Sequence, residues 1–272
     1  MTTFDFPALA AKLLPAVLAA GAAQLRYYTV DIAVEMKADA SPVTIADRES
    51  EALLLEGLWH AARGVPIVAE ESIALGHRPP KEATYFLVDP LDGTREYVKR
   101  LGEFTVNIGL VVGNEPVFGM IYAPALGDLY VTLGEGRAVE AHIASDEPSP
   151  DMARCEFREL HTRAPDLSAL TVLESRSHRT AATEAFLARY AISEVKRGGS
   201  SLKFCRIARG EADLYVRLGP TCEWDTAAGQ AIVEAAGGAV TDLDGHRLGY
   251  GKHDATYENP SFVAWGRAPA RS

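Results

Sequence analysis

The segment Tyr85-Phe86-Leu87-Val88-Asp89-Pro90-Leu91-Asp92-Gly93-Thr94 constrains this chain more than any other. Four consecutive apolar residues read as a short strand. The run stops on two aspartates, Asp89 and Asp92. Pro90 fixes its own φ and biases Asp89 away from helix, so the turn is sharp. Gly93 permits close backbone approach, and Gly-Thr reads as a helix start whose free N–H groups suit an anion. One loop therefore offers hard oxygen ligands for a divalent cation and amide donors for a phosphate, a combination that suits Mg²⁺. Taken alone, Asp92 also reads as a turn residue.

Other acids stand in comparable places. Glu70 and Glu71 end an apolar run at 65–69, and as a pair also suit a solvated strand end. Asp47 falls in the first turn of a helix predicted over 45–63, with Glu49, Glu51 and Glu56 outward and Leu54, Leu55 and Leu58 inward. Asp225 lies where a helix over 226–236 begins. Asp47 and Asp225 are candidate ligands, and equally helix-start acids favoured by the dipole.

The periodicity predicts a helix over 4–28, kinked by Pro15, and strands at 105–112, 117–122, 129–133 and 139–143. Residues 145–151 crowd Ser, Asp, Glu and Pro and mark the best boundary. They divide the chain into 1–145, an α+β unit carrying the twin-aspartate loop, and 146–272, an α/β unit. The second unit is predicted to hold strands at 171–174, 213–217, near 240 and at 262–265, with helices at 180–190, 201–209 and 226–236. Within it, Gly198-Gly199-Ser200-Ser201-Leu202-Lys203 offers flexible backbone, hydroxyls and a cation, and Arg217 at a strand end offers a bidentate phosphate donor. A plain turn and solvated cations are the alternatives.

Lys plus Arg number 27 against 37 Asp plus Glu, a net charge of −10, which argues against nucleic-acid or anionic-membrane binding. Cys155, Cys205 and Cys222 are widely spaced with no C-x-x-C pair, so reduced thiols in a cytoplasmic protein are expected. Residues 1–7 contain Asp5 and no Lys or Arg, the wrong flank for a secretory signal, and the apolar stretch 13–23 is too short to span a bilayer. No integral membrane segment is expected; peripheral contact with the inner membrane's cytoplasmic side stays open.

Taken together, the motifs resemble the magnesium-dependent, lithium-sensitive sugar-phosphatase superfamily that contains inositol monophosphatase. Its D-P-[LI]-D-G-T stands at 89–94, its W-D-x-A-A-G at 224–229 and its E-E-S at 70–72. SPVTIAD, VDPLDGTREYVKRLGEFTVNIGL, GSSLKFC, ADLYVRLGPTCEWDTAAGQA and NPSF are similar to its bacterial 3′(2′),5′-bisphosphate nucleotidase branch, in consistent order over 41–262. Residues 144–170 match least well.

The resemblance implies a layered α/β/α/β/α fold with the site between its halves. It implies two or three Mg²⁺ ions on Glu70, Asp89, Asp92, Asp225 and the Leu91 carbonyl, with Glu71 the lesser candidate of its pair. Asp47 and Thr94 would orient and deprotonate the attacking water, and the Gly93 and Thr94 amides would hold the scissile phosphate. Ser200, Lys203 and Arg217 would bind the 5′-phosphate, and His178 would lie near the nucleoside; singly, His178 also reads as a surface or packing residue. The implied reaction converts adenosine 3′,5′-bisphosphate to AMP and phosphate, extending to its sulfated precursor, and clears a by-product of sulfate activation. An inositol or general sugar phosphatase with the same metal site, and a nucleotide-sensing module without turnover, are the rival readings.

Overall fold

A computed structural model describes residues 4–29, 33–37, 42–147, 151–176, 180–252 and 256–267. Helix α1 (Phe6–Tyr28) starts on Asp5, whose carboxylate accepts the Ala8 N–H at 3.0 Å, and continues through Pro15. Two short strands, β1 (Glu35–Met36) and β2 (Pro42–Val43), pair antiparallel and lead into α2 (Ile45–Ala61). There follow β3 (Ile67–Ala69), α3 (Glu70–Ala74), β4 (Thr84–Asp92), α4 (Thr94–Val98), β5 (Thr105–Val112), β6 (Glu115–Ala123), β7 (Asp128–Gly134), β8 (Arg137–His142) and β9 (Arg158–Glu159). Strands β3 to β9 form a seven-stranded sheet in chain order, parallel only between β3 and β4.

The remaining chain supplies β10 (Leu170–Ser175), α5 (Ala181–Leu187), β11 (Ile192–Gly198), α6 (Leu202–Ala208), β12 (Leu214–Arg217), α7 (Glu223–Ala235), β13 (Ala239–Asp242) and β14 (Phe262–Trp265). Its sheet runs β11-β10-β12-β14-β13, with β11, β10 and β12 parallel. The changeover between sheets falls after β9, beyond the proline-rich stretch at 145–151, because Leu160 still tucks its N–H onto Ala138.

Strand β4 shows how the layers arise. Phe86 and Val88 point into a core shared with α1 and α2, while Tyr85 and Leu87 point into a core shared with α6 and α7. The far face of the second sheet packs Val172, Leu214 and Val263 against Leu187 of α5. The order is α1/α2, seven strands, α6/α7, five strands, α5, the expected layered α/β/α/β/α architecture. Small residues let α7 sit flush on its sheet: a Cβ on Gly109 would lie 2.7 Å from the Ala227 Cβ, and one on Gly119 only 2.2 Å from the Ala228 carbonyl. Among the described residues α1 alone is long and apolar enough to cross a membrane, but Leu13, Leu14, Val17 and Leu18 are packed in the core.

Three expectations change. Glu51 points inward, because its carboxylate accepts the Glu71 N–H at 2.8 Å and the Ser72 hydroxyl at 2.6 Å. Glu70 opens a helix rather than ending a strand. Strand β11 was not foreseen, since an edge strand exposed on much of its surface carries Ile192 and Val195 out of the two-residue alternation.

Candidate active site

Parallel pairing of β3 with β4 brings their C-terminal ends to one rim. Glu70 leaves that rim at the head of α3, and Asp89 and Asp92 close β4. Alternation from Leu87 turns Asp89 towards α7, whose first turn carries Asp225. Asp225 also caps its helix, one oxygen accepting the Cys222 N–H at 2.8 Å. Asp89, Asp92 and Asp225 each feel the charge of Glu70. Burial raises Asp92 to about 6, with Glu96 and Glu70 adding to it and Lys203 opposing. Burial, then Asp92 and Glu70, raises Asp225 to about 8. Asp89 is pushed well above the usual carboxylate range by burial, Glu70, Asp92 and Asp225.

Lys37 reaches into this group. Its ammonium donates to Glu70 at 2.6 Å and also to Glu71. Burial opposes its charge, yet the two carboxylates prevail and hold it protonated. A cluster of buried and half-buried acids that draws in a lysine is the donor set a hard divalent cation takes, so the residues present fit Mg²⁺.

Asp47 serves two neighbours, one per oxygen. Oδ2 accepts the Thr44 N–H at 2.8 Å and the Thr44 hydroxyl at 2.7 Å, closing the capping box of α2. Oδ1 accepts the Thr94 hydroxyl at 3.3 Å, and the same hydroxyl lies 3.2 Å from the Leu91 carbonyl. Burial, with Glu70 nearby, raises Asp47 to about 6, although its Thr44 bonds oppose the shift.

The second sheet delivers its groups in the same way. Ser175, Gly198 and Arg217 end β10, β11 and β12, three parallel strands, where open α/β sheets gather ligands. The two rims meet at Gly93, which has φ +90° and whose missing Cβ would stand 3.2 Å from the Ser200 Cβ. Lys203 is buried, donates to the Ser200 carbonyl, and is lowered to about 8 by burial against the pull of Asp92. Arg217 donates to the Pro220 carbonyl at 2.9 Å and the Ser175 hydroxyl at 3.4 Å, while its Nε is buried without a partner. His178 lies outside the described residues. Glu70, Asp89, Asp92, Asp225, Asp47 and Thr94 come together on one side, and Ser200, Lys203 and Arg217 face them.

Sequence reasoning missed Lys37, Glu51 and Glu103. Glu103 accepts the Gly199 N–H at 2.9 Å and a two-point pair from Arg176, which fixes the backbone before Ser200. A lone lysine or glutamate leaves no periodic signal, so only the fold reveals these partners.

The inositol monophosphatase family matches residues 9–271, nearly the whole chain. The chain belongs to that family. It is 39% identical over 245 residues to the 3′(2′),5′-bisphosphate nucleotidase CysQ of Shigella flexneri, covering 89% of this chain and 94% of the relative. Its counterpart from Escherichia coli K12 is 38% identical over the same span. Among solved structures, CysQ from Bacteroides thetaiotaomicron, described as a bacterial member of the inositol monophosphatase family, aligns with TM-score 0.77 and 35% identity over 95% of this chain and 97% of that one. Inositol monophosphatase from Anabaena aligns with TM-score 0.70 and 26% identity, over 94% and 90% of the two chains.

Proposed function

We propose that this protein is a Mg²⁺-dependent 3′(2′),5′-bisphosphate nucleotidase that releases phosphate from adenosine 3′,5′-bisphosphate to leave AMP, with the sulfated precursor as a second substrate. The observation that carries the reading is the meeting of two rims at Gly93 and Ser200, one lined by carboxylates and the other by Lys203 and Arg217. An acidic half suits the cations and the scissile phosphate. A basic half suits a second phosphate that is recognised and left intact, which an inositol monophosphate does not carry.

Glu70, Asp89, Asp92, Asp225 and the Leu91 carbonyl would hold two or three ions. When bound, Mg²⁺ supplies an acidified water and charge neutralisation at the transferring phosphoryl group. Asp47, raised to about 6 by burial, is ionised at neutral pH and can take a proton through the Thr94 hydroxyl. The Gly93 and Thr94 amides orient the phosphate, Ser200, Lys203 and Arg217 grip the 5′-phosphate, and by family resemblance His178 would lie near the nucleoside. Three free cysteines suit a reducing cytoplasm.

Phosphate release from adenosine 3′,5′-bisphosphate and from inositol 1-phosphate, measured side by side with and without a chelator, tests this. Faster turnover of the nucleotide that the chelator abolishes is expected. Equal or better turnover of the inositol ester defeats the substrate assignment, and turnover untouched by chelation defeats the metal.

A further inference from the structure

The ladder between β4 and β5 breaks after Asp89 and resumes at Asp92, so Pro90 and Leu91 lie outside strand pairing. Each backbone polar group of this excursion is instead taken by a side chain. Pro90 has no N–H. The Leu91 N–H donates to Asp89 Oδ1 at 2.9 Å, and the Leu91 carbonyl, at 3.2 Å, shares the Thr94 hydroxyl proton with Asp47. The Pro90 carbonyl accepts the Gln24 Nε2–H at 2.7 Å. Asp89 and Thr94 belong to the loop itself; Gln24 comes from α1, far away in sequence. The Gln24 carbonyl in turn accepts the Tyr97 hydroxyl at 2.8 Å, so α1 is also tied to α4, the helix that Thr94 opens.

The orientation of the Gln24 amide is settled by chemistry: an acceptor such as the Pro90 oxygen must face the NH₂ end. Holding it there leaves Gln24 Oε1 buried without a partner. The same NH₂ also donates to the Ser50 hydroxyl at 3.3 Å, which donates in turn to the Ala20 carbonyl, and an apolar side chain here would leave the Pro90 carbonyl without this donor. The amide thus commits its donor end to the metal loop and leaves its acceptor end idle.

We infer that Gln24 is a positioning residue for the metal loop, an inference that rests on the proposed Mg²⁺ site. Cations on Asp89 and on the Leu91 carbonyl would compete for the very atoms that bond Leu91 and Thr94 internally. The Gln24–Pro90 bond touches no proposed ligand atom, so it persists through loading and fixes where the Leu91 carbonyl and Asp92 point. Gln24 touches neither substrate nor cation.

Titration calorimetry with MgCl₂ on metal-stripped protein tests this, alongside the Mg²⁺ concentration for half-maximal activity and melting temperatures without metal. Gln24→Met keeps the length and removes the donor; Gln24→Asn keeps the amide and withdraws it by one methylene. Both are expected to weaken Mg²⁺ binding by about 10- to 100-fold, the usual effect of removing a partner behind a ligand. KM for the nucleotide at saturating Mg²⁺ should stay near wild type. Wild-type Mg²⁺ affinity in either variant, with or without a change in melting temperature, overturns the role of Gln24 and leaves the proposed function standing. Failure of the wild-type protein itself to bind Mg²⁺ overturns the metal site and this inference with it.

Discussion

Gly93→Ala probes the meeting of the two rims directly. Gly93 sits at φ +90°, and an added Cβ would stand 2.9 Å from the Glu103 carbonyl and 3.2 Å from the Ser200 Cβ. Left-handed backbone costs an ordinary residue about 1–2 kcal/mol, and overpacking against rigid neighbours adds about 1–3 kcal/mol. The sum of ~2–5 kcal/mol corresponds to a fall in melting temperature of about 4–9 °C for a chain of 272 residues. Gly64→Ala supplies the control, because Gly64 has φ +85° and nothing within 4 Å of the built Cβ. It should show only the backbone part, about 1–2 kcal/mol, and keep full activity. Gly93→Ala should lose stability beyond the control and also lose kcat by about 100-fold or more, since displaced amides no longer meet the developing charge. Scanning calorimetry and phosphate release on both variants decide the matter. A Gly93→Ala enzyme as stable and as active as Gly64→Ala refutes the close approach of the two halves as the basis of the site.

Burial and mutual repulsion hold Asp92 at about 6, Glu71 at about 7 and Asp225 at about 8 in the metal-free protein. Raised carboxylates mean that the folded state binds more protons than the unfolded one, so metal-free stability falls as pH rises from about 4 to 8. Mg²⁺ favours the ionised forms, and the melting shift it produces should grow from pH 5 to pH 8 in thermal scans; a shift that shrinks over that range contradicts the cluster. Arg217→Ala should raise KM for adenosine 3′,5′-bisphosphate by about 5- to 150-fold, equivalent to ~1–3 kcal/mol for a charge-assisted contact, and spare any inositol 1-phosphate turnover. Loss confined to the inositol ester would reverse the substrate assignment. Asp47→Asn retains an acceptor for the Thr44 N–H, so melting should change little while kcat drops by about 10²–10⁴; unchanged kcat removes Asp47 from the proton path.

Much of this was readable from the chain before folding. The apolar run ending at Asp89 forecast a strand, and β4 is one; that Phe86 and Leu87 enter opposite cores is a finding of the fold. Strand ends forecast the rims, because a strand terminus fixes its side chain in space whatever its distant partners are. Asp47 read as either cap or catalytic group, and in the fold one of its oxygens caps α2 while the other meets the Thr94 hydroxyl. What escaped depended on contacts between distant segments. Glu51 looked solvent-facing by helical spacing, and only the arrival of α3 turns its surroundings inward. Gln24 carries no local signal, since its partner Pro90 is reached through the packing of α1 against the sheet end. The edge strand β11 lacked alternation because one of its faces has little to pack on.

The seam between Gly109, Gly119 and the Ala227-Ala228 pair has an outcome for how the molecule moves. Backbone rests on backbone there, with no flexible side chains between to act as a bearing. Asp225, at the head of α7, and Asp89, at the end of β4, are therefore held on one stiff block, so the proposed ion cradle would stand assembled before any cation arrives. The facing rim is closely packed as well, since a Cβ on Gly199 would lie 2.7 Å from Glu96 and one on Gly229 only 2.4 Å from Phe204 of α6.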